Sequence, residues 1–389
     1  MKDWLKKDTI RNGVHGVSAA VAVLAIATLA RFTVFSPTEY MKKDLVANTP
    51  DIVRHGDGGD VKVEDATWPL VLDKKDYDKR LLTLAHYQPA KVSASSSTST
   101  KNELKYQEAT NVTVSGKRWP SSAAYPNGGA IFPFKRVVAY YGNFYSRNMG
   151  ILGELDPPVM LDRLHQTVAK WEAADPTTPV VPAIEYIAMV AQADAGADGM
   201  YRAVMPDKEI EKAYSLAKEI NGILIIDLQV GLSSIQRELP QFKELLSRPE
   251  THLALDPEFS MKSGAKPGTE IGTFNADDIN FTINWLSDIV REKQLPPKIL
   301  LIHRFTQNML TGTARIKPTP EVQVVIVMDG WGPGDLKIGT YKHYIEPEPV
   351  QFTGIKLFYK NDLKPPSTGL LTPKQVLQLN PTPIYVQYQ

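Results

Sequence analysis

Five apolar runs in the C-terminal two-thirds of the chain each stop at an ionisable residue. Val181 to Ile184 runs into Glu185, Ile223 to Ile226 into Asp227, Ile299 to Ile302 into His303, and Val324 to Met328 into Asp329. Leu253-Ala254-Leu255 runs into two carboxylates, Asp256 and Glu258, on either side of Pro257. Carboxyl groups crowded at a partly dry mouth raise one another's pKa, and a raised carboxyl is a general acid at neutral pH. A neighbour that stays ionised orients, acts as base, or stabilises an oxocarbenium-like centre. Asp256 and Glu258 are two apart, so both side chains share one face if the strand persists through Pro257. Aromatic residues (Tyr140, Tyr141, Tyr186, Trp331, Phe358, Tyr359 and Tyr388) lie near the same run ends. Their faces suit the C–H patches of sugar rings.

The candidate catalytic residues are therefore Glu258, Asp256, Asp227 and Asp329. The candidate substrate contacts are Glu185, Tyr141, His303, Trp331, Tyr359 and Tyr388. Plainer roles exist for each. Asp227 and Asp329 precede Gly-containing loops that either could cap. Glu185 could be half of an ion pair, and a strand histidine such as His303 is commonly a hydrogen-bonded core residue. Asp227, Asp256, Glu258, His303 and Asp329 could also hold a divalent ion and activate water. No H-x-H, H-E-x-x-H or paired-His spacing occurs, so neither metal nor cofactor is expected.

A parallel sheet is what places such residues at one mouth. Near-continuous apolar runs predict strands over Arg136–Tyr141, Pro179–Tyr186, Ile223–Val230, His252–Glu258, Lys298–Phe305, Val322–Asp329, Gly354–Tyr359 and Pro383–Tyr388. Helical patterns fall between most of them. One opens at Pro157-Pro158 and runs to Trp171, one runs from Pro206-Asp207 to Ile220 and one from Ser233 to Leu246. A fourth spans Ala276 to Lys293, and a short last one runs from Thr372-Pro373 to Leu379. Helices after the fifth and sixth strands are poorly marked. Eight strand-then-helix units over about 250 residues predict a (β/α)8 barrel of the TIM type, with catalytic groups at the C-terminal strand ends. An open doubly wound sheet would carry a Gly-rich phosphate loop after its first strand, and none is present.

The bulk numbers agree. The 389 residues are 43% hydrophobic and 22% charged, with a net charge of +1, which gives no reason to expect nucleic acid as partner. The absence of Cys excludes disulfides, thiolate nucleophiles and Cys-ligated zinc. Lys2, Lys6, Lys7 and Arg11 precede an apolar stretch from Val14 to Ala30 that Phe32, Val34 and Phe35 extend. That stretch reaches the roughly 20 residues a membrane span needs. Residues 1–35 thus predict a cytoplasmic basic tail and an uncleaved signal anchor, with a cleaved signal peptide ending near Ala25-Ile26-Ala27 as the alternative. Residues 36–134 read as stalk or linker with a Ser/Thr tract near Val92 to Lys101. Within it, Trp68 to Leu72 and Leu81 to Tyr87 are apolar enough to pack on something. Residues 135–389 form the predicted barrel, placed outside the cell membrane.

Asp256-Pro257-Glu258 and Met328-Asp329 resemble the strand-four D-x-D-x-E and strand-six M-x-Y-D runs of chitinase-like (family 18) glycoside hydrolases, with Ala254 standing where the first run has an earlier Asp. That resemblance implies Glu258 as general acid, Asp256 as its partner and Asp329 as a substrate-orienting group. The chain is also similar to a family of uncharacterised exported bacterial proteins. The phrases that carry this are Met149-Gly150-Ile151-Leu152-Gly153-Glu154, Asp227-Leu228-Gln229, Leu255-Asp256-Pro257-Glu258, Met328-Asp329-Gly330 and Lys356-Leu357-Phe358-Tyr359. This second likeness implies a barrel and export, and no known reaction. Three functions fit: a membrane-anchored glycosidase acting on cell-wall or extracellular polysaccharide, a catalytically inactive glycan-binding or envelope-scaffold barrel, and a metal-dependent hydrolase.

Overall fold

The computed structural model describes residues 68–87 and 119–389. The expected anchor over residues 1–35 and the Ser/Thr tract lie outside the described residues. Among the described residues no helix is long and apolar enough to cross a membrane.

In chain order, helix α1 (Lys74–Leu84) precedes eight parallel strands. These are β1 (Arg136–Gly142), β2 (Val180–Ala191), β3 (Ile223–Leu228), β4 (Thr251–Leu255), β5 (Lys298–Arg304), β6 (Val322–Met328), β7 (Phe352–Leu357) and β8 (Tyr385–Tyr388). Each pairs with the next, and β1 also pairs with β8, Val137 opposite Tyr385 and Tyr140 opposite Tyr388. The sheet is therefore a closed (β/α)8 barrel. Outside it lie α2 (Pro157–Ala174), α3 (Asp207–Glu219), α4 (Ala276–Lys293) and α5 (Gly334–Thr340). Helix α4 begins as its sequence dictates: Asn275 accepts from the Asp277 and Asp278 amides while Asp278 reaches back to the Asn275 amide.

Three local expectations are corrected. The helix expected over Ser233 to Leu246 is broken into Ile235–Glu238, a 3-10 turn at Leu239–Phe242, and Lys243–Leu246. Pro240 has no N–H to continue the ladder. The strand expected over His252–Glu258 stops at Leu255, and Pro257–Phe259 is a 3-10 turn. Strand β2 outlasts its expected end, running to Ala191 and pairing antiparallel with Arg202–Val204. Between β5 and β6 there is no α-helix, only the short 3-10 turns Gln307–Met309 and Thr313–Arg315 and a two-residue strand, Leu310–Thr311, that pairs with Phe274–Asn275. There the buried Arg304 guanidinium substitutes for a helix. It donates to the Thr306, Gln307 and Tyr344 carbonyls and pairs with Glu348 at 2.8 Å.

Part of the stretch read as stalk packs on the barrel. Tyr77, Leu84, Ala85, Trp119 and Phe132 join one apolar cluster with Val137, Ala139, Ile299, Leu301, Val325 and Phe352 of the lumen. Polar contacts fasten this floor to the N-terminal strand ends. The Trp119 indole donates to Gln351 O at 2.7 Å, the Thr382 amide to Leu84 O at 2.9 Å, and the Gln323 side chain meets both the N–H and the carbonyl of Phe132. The lumen is thus closed below by apolar side chains.

Candidate active site

Strand alternation decides which residues face the lumen. Ile355 and Leu357 pack in the outer layer while Phe352 packs inside, so Lys356 points inward. By the same parity Tyr141, Glu185, Asp227, Asp256, His303, Tyr385 and Gln387 point inward. Asp329, one residue past β6, joins them through its contacts with His303 and Lys356. A single residue makes room across the lumen. A Cβ at Gly354 would lie 3.0 Å from the Tyr385 ring, and its absence lets that ring cross and donate its hydroxyl to Glu185 Oε2.

The groups form a linked chain. Glu185 Oε1 lies 3.2 Å from His303 Nε2, His303 Nδ1 lies 3.2 Å from Asp329 Oδ2, and Asp329 Oδ1 lies 3.2 Å from Lys356 Nζ. The Lys356 ammonium also sits 3.9 Å from the Tyr141 ring centroid. The Tyr141 hydroxyl donates to Asp227 Oδ2 at 2.8 Å. Gln229 donates to Asp256 Oδ2 at 3.3 Å, and Asp256 Oδ1 accepts the Glu258 amide at 3.1 Å. Asp256 is thus the cap of the turn that carries Glu258. The shared-face geometry expected for this pair is corrected: Pro257 ends the strand, and the turn sets the position of Glu258. All of these groups are buried except Glu258, which keeps partial contact with solvent. No side chain among the described residues hydrogen-bonds the Glu258 carboxyl.

Burial and charge move these groups apart. Burial pushes Glu258 well above the usual carboxyl range, and the charges of Asp256 and Asp329 add to it. Burial likewise raises Asp256 to about 6 and Asp227 to about 7, with neighbouring carboxylates reinforcing the shift against His303. Asp329 goes the other way. Burial alone would raise it, but Lys356 and His303 hold it below its ordinary value. For His303, burial would lower the pKa, yet Asp329 and Glu185 hold the imidazole well above it.

The structure therefore brings together Glu185, Asp227, Asp256, Glu258, His303, Asp329 and Tyr141. It leaves Tyr359 and Tyr388 elsewhere. They stack on each other at 5.2 Å, Tyr359 bonds the Tyr140 hydroxyl and lies under Arg163, and Tyr388 accepts from the Trp171 indole of α2. Their expected place at the mouth is corrected: these positions fall on the outer parity of the wall. Tyr140 and Tyr186 share that outer layer. Trp331 is half-buried in the loop after β6, with Lys364 over its ring at 5.3 Å.

Sequence reasoning missed Lys356, Tyr385, Gln387 and Gln229 as site residues. A lysine at an inward position of an apolar run was a legible signal, since its charge must be paired there. It also missed a buried clamp. Lys337 of α5 pairs with Asp362 at 3.1 Å and donates to Gly330 O, while Asp362 accepts the Gly332 and Phe358 amides. The clamp locks the loops that follow β6 and β7, and so the approach to Asp329 and Lys356.

No protein-family model matches the chain, and no curated protein matches it. Among solved structures it is similar to two Bacillus subtilis mannanases, BCman and man26. Identity is 11% with each, over 66% of this chain and 81% or 79% of theirs, at TM-scores of 0.33 and 0.34. It is also similar to XEG5A, a GH5 xyloglucan-specific endo-beta-1,4-glucanase from a metagenomic library, at 11% identity over 69% of this chain and 85% of that one, TM-score 0.33. Likenesses this loose carry no argument; the barrel stands on its own strand pairing.

Proposed function

We propose that the barrel hydrolyses glycosidic bonds in a cell-wall or extracellular polysaccharide, held outside the membrane by the apolar segment within residues 1–35. Glu258 is the general acid and hands its proton to the leaving oxygen. Asp256 tunes it, and Asp329 is the ionised second carboxylate that meets the developing positive charge. Trp331 offers the sugar ring an aromatic face. The observation that carries this reading is the contrast between two carboxyls at one mouth: Asp329 lies 3.2 Å from both Lys356 Nζ and His303 Nδ1, which hold it low, while the Glu258 carboxyl has no side-chain partner among the described residues and burial raises it. Pairs of titratable groups pushed apart in this way are how acid and base roles are divided. Asp227, raised to about 7, is the poorer choice for the ionised partner.

The test is release of reducing ends from purified cell-wall glycan and chitin by the full chain, with Glu258→Gln beside it. General acid catalysis contributes about 10²- to 10⁴-fold, so the variant should lose about that much with its fold intact. Wild-type activity should also fall as pH rises through the elevated Glu258 pKa, because the acid must carry its proton. A second reading, a silent glycan-binding barrel, is favoured by the way the remaining charged groups are enclosed and paired with one another. Sugar binding without release, unchanged in Glu258→Gln, would establish it instead.

A further inference from the structure

We infer that Glu185, Asp227 and His303 form a site for one first-row divalent metal ion inside the barrel mouth. One ligand atom from each can be chosen so that all three lie within 4.8 Å of one another, and all three residues are buried. Metal–nitrogen and metal–oxygen bonds of about 2.0–2.2 Å place ligand atoms about 3 to 4.4 Å apart, so small side-chain rotations close the site. The 3.2 Å gap between Glu185 Oε1 and His303 Nε2 is already that of adjacent ligands on one ion.

Three observations turn this from an acidic cluster into a site. First, Asp227 Oδ1 is buried with no hydrogen-bond partner in a residue that is fully enclosed. Leaving such an oxygen bare costs free energy, and a bound ion removes the cost. Second, the far atom of each ligand has a group behind it, hydrogen-bonded for the two carboxylates and 3.2 Å away for the imidazole. The Tyr141 hydroxyl holds Asp227 Oδ2, the Tyr385 hydroxyl holds Glu185 Oε2, and Asp329 faces His303 Nδ1. Outer partners of this kind fix ligand orientation and tautomer in metal sites. They leave Asp227 Oδ1, Glu185 Oε1 and His303 Nε2 as the atoms to bind. Third, with His303 neutral as a ligand must be, the carboxyls of Glu185, Asp227, Asp256, Glu258 and Asp329 face only Lys356 as a cation among the described residues, so the mouth favours added positive charge. One imidazole with two carboxylates suits Mn²⁺, Fe²⁺ or Zn²⁺ better than Ca²⁺, which takes six to eight oxygens.

The inference stands apart from the glycosidase reading, and its test does not use turnover. The full chain, stripped with chelator, is titrated with Mn²⁺ and with Zn²⁺ by calorimetry, and its Mn²⁺ complex is examined by pulsed electron paramagnetic resonance. One ion per chain is expected, with a nitrogen coupling from one imidazole. Asp227→Asn and Glu185→Gln should each weaken binding at least tenfold. Tyr141→Phe, which keeps the ring and removes only the hydroxyl behind Asp227, should weaken it about 10- to 100-fold. Folded wild type that binds neither ion at millimolar concentration overturns the proposal. So does binding without the nitrogen coupling, or binding that all three variants leave unchanged.

Discussion

Two glutamines face the same lumen from opposite ends, and the difference between them separates the scaffold from the site. Gln323, at the start of β6, is fully satisfied: its amide donates to the Phe132 carbonyl at 2.7 Å and accepts the Phe132 N–H at 3.1 Å. Gln387, near the end of β8, is equally buried, yet neither its Oε1 nor its Nε2 has a partner. Gln323 spends its polar atoms on structure, as buried groups ordinarily must. Gln387 withholds its own, which is what an amide kept for water, ion or substrate looks like. His252 repeats the lesson at the lower end, where its Nδ1 accepts the Ile299 amide at 3.0 Å and burial keeps the ring neutral.

The contrast is open to direct attack. Lys356→Met is the harshest blow to the mouth, because it leaves Asp329 buried beside its acidic neighbours. A loss of about 3–5 kcal/mol in urea unfolding is expected, the cost of breaking a buried pair from one side. The two glutamines come next. Gln323→Leu orphans the Phe132 amide and carbonyl and should cost about 1–3 kcal/mol, whereas Gln387→Leu should cost nothing measurable or stabilise. Equal losses for the two variants would erase the distinction drawn between the ends. The gentlest probe is Lys298, buried against the Arg248 and Thr251 carbonyls, whose ammonium burial pushes down to about 7. Between about pH 7 and 10.5 the unfolded chain binds this proton and the folded chain does not, so stability should rise with pH there. Lys298→Met should flatten that rise in pH-dependent unfolding curves.

Much of the barrel is legible in the chain because burial on both faces writes each strand as an unbroken apolar run. The acids at the run ends are legible for the same reason: a charge after such a run has few places to go. What the runs do not carry is phase. Tyr359 and Tyr388 sit at strand ends as plainly as Tyr141, and only the alternation counted from Lys356 and Gln387 shows them on the outer wall. Pro257 hid a turn inside an apparent strand, so Glu258 is correctly gathered with Asp256 but by a cap instead of a shared face. The Lys337–Asp362 clamp joins residues from two loops, and no local pattern announces such a pair.

The apolar floor has a practical corollary. Val137, Ile299 and Phe352 are covered from below by Tyr77, Leu84, Trp119 and Phe132, all of which precede the first strand. A fragment cut at residue 135, where the strand-and-helix pattern begins, would carry every acid of the mouth and still open its core to water from beneath. The cooperative unit is therefore larger than the repeat that defines the fold, and an excised version that keeps its base must reach back at least to the start of α1 at Lys74.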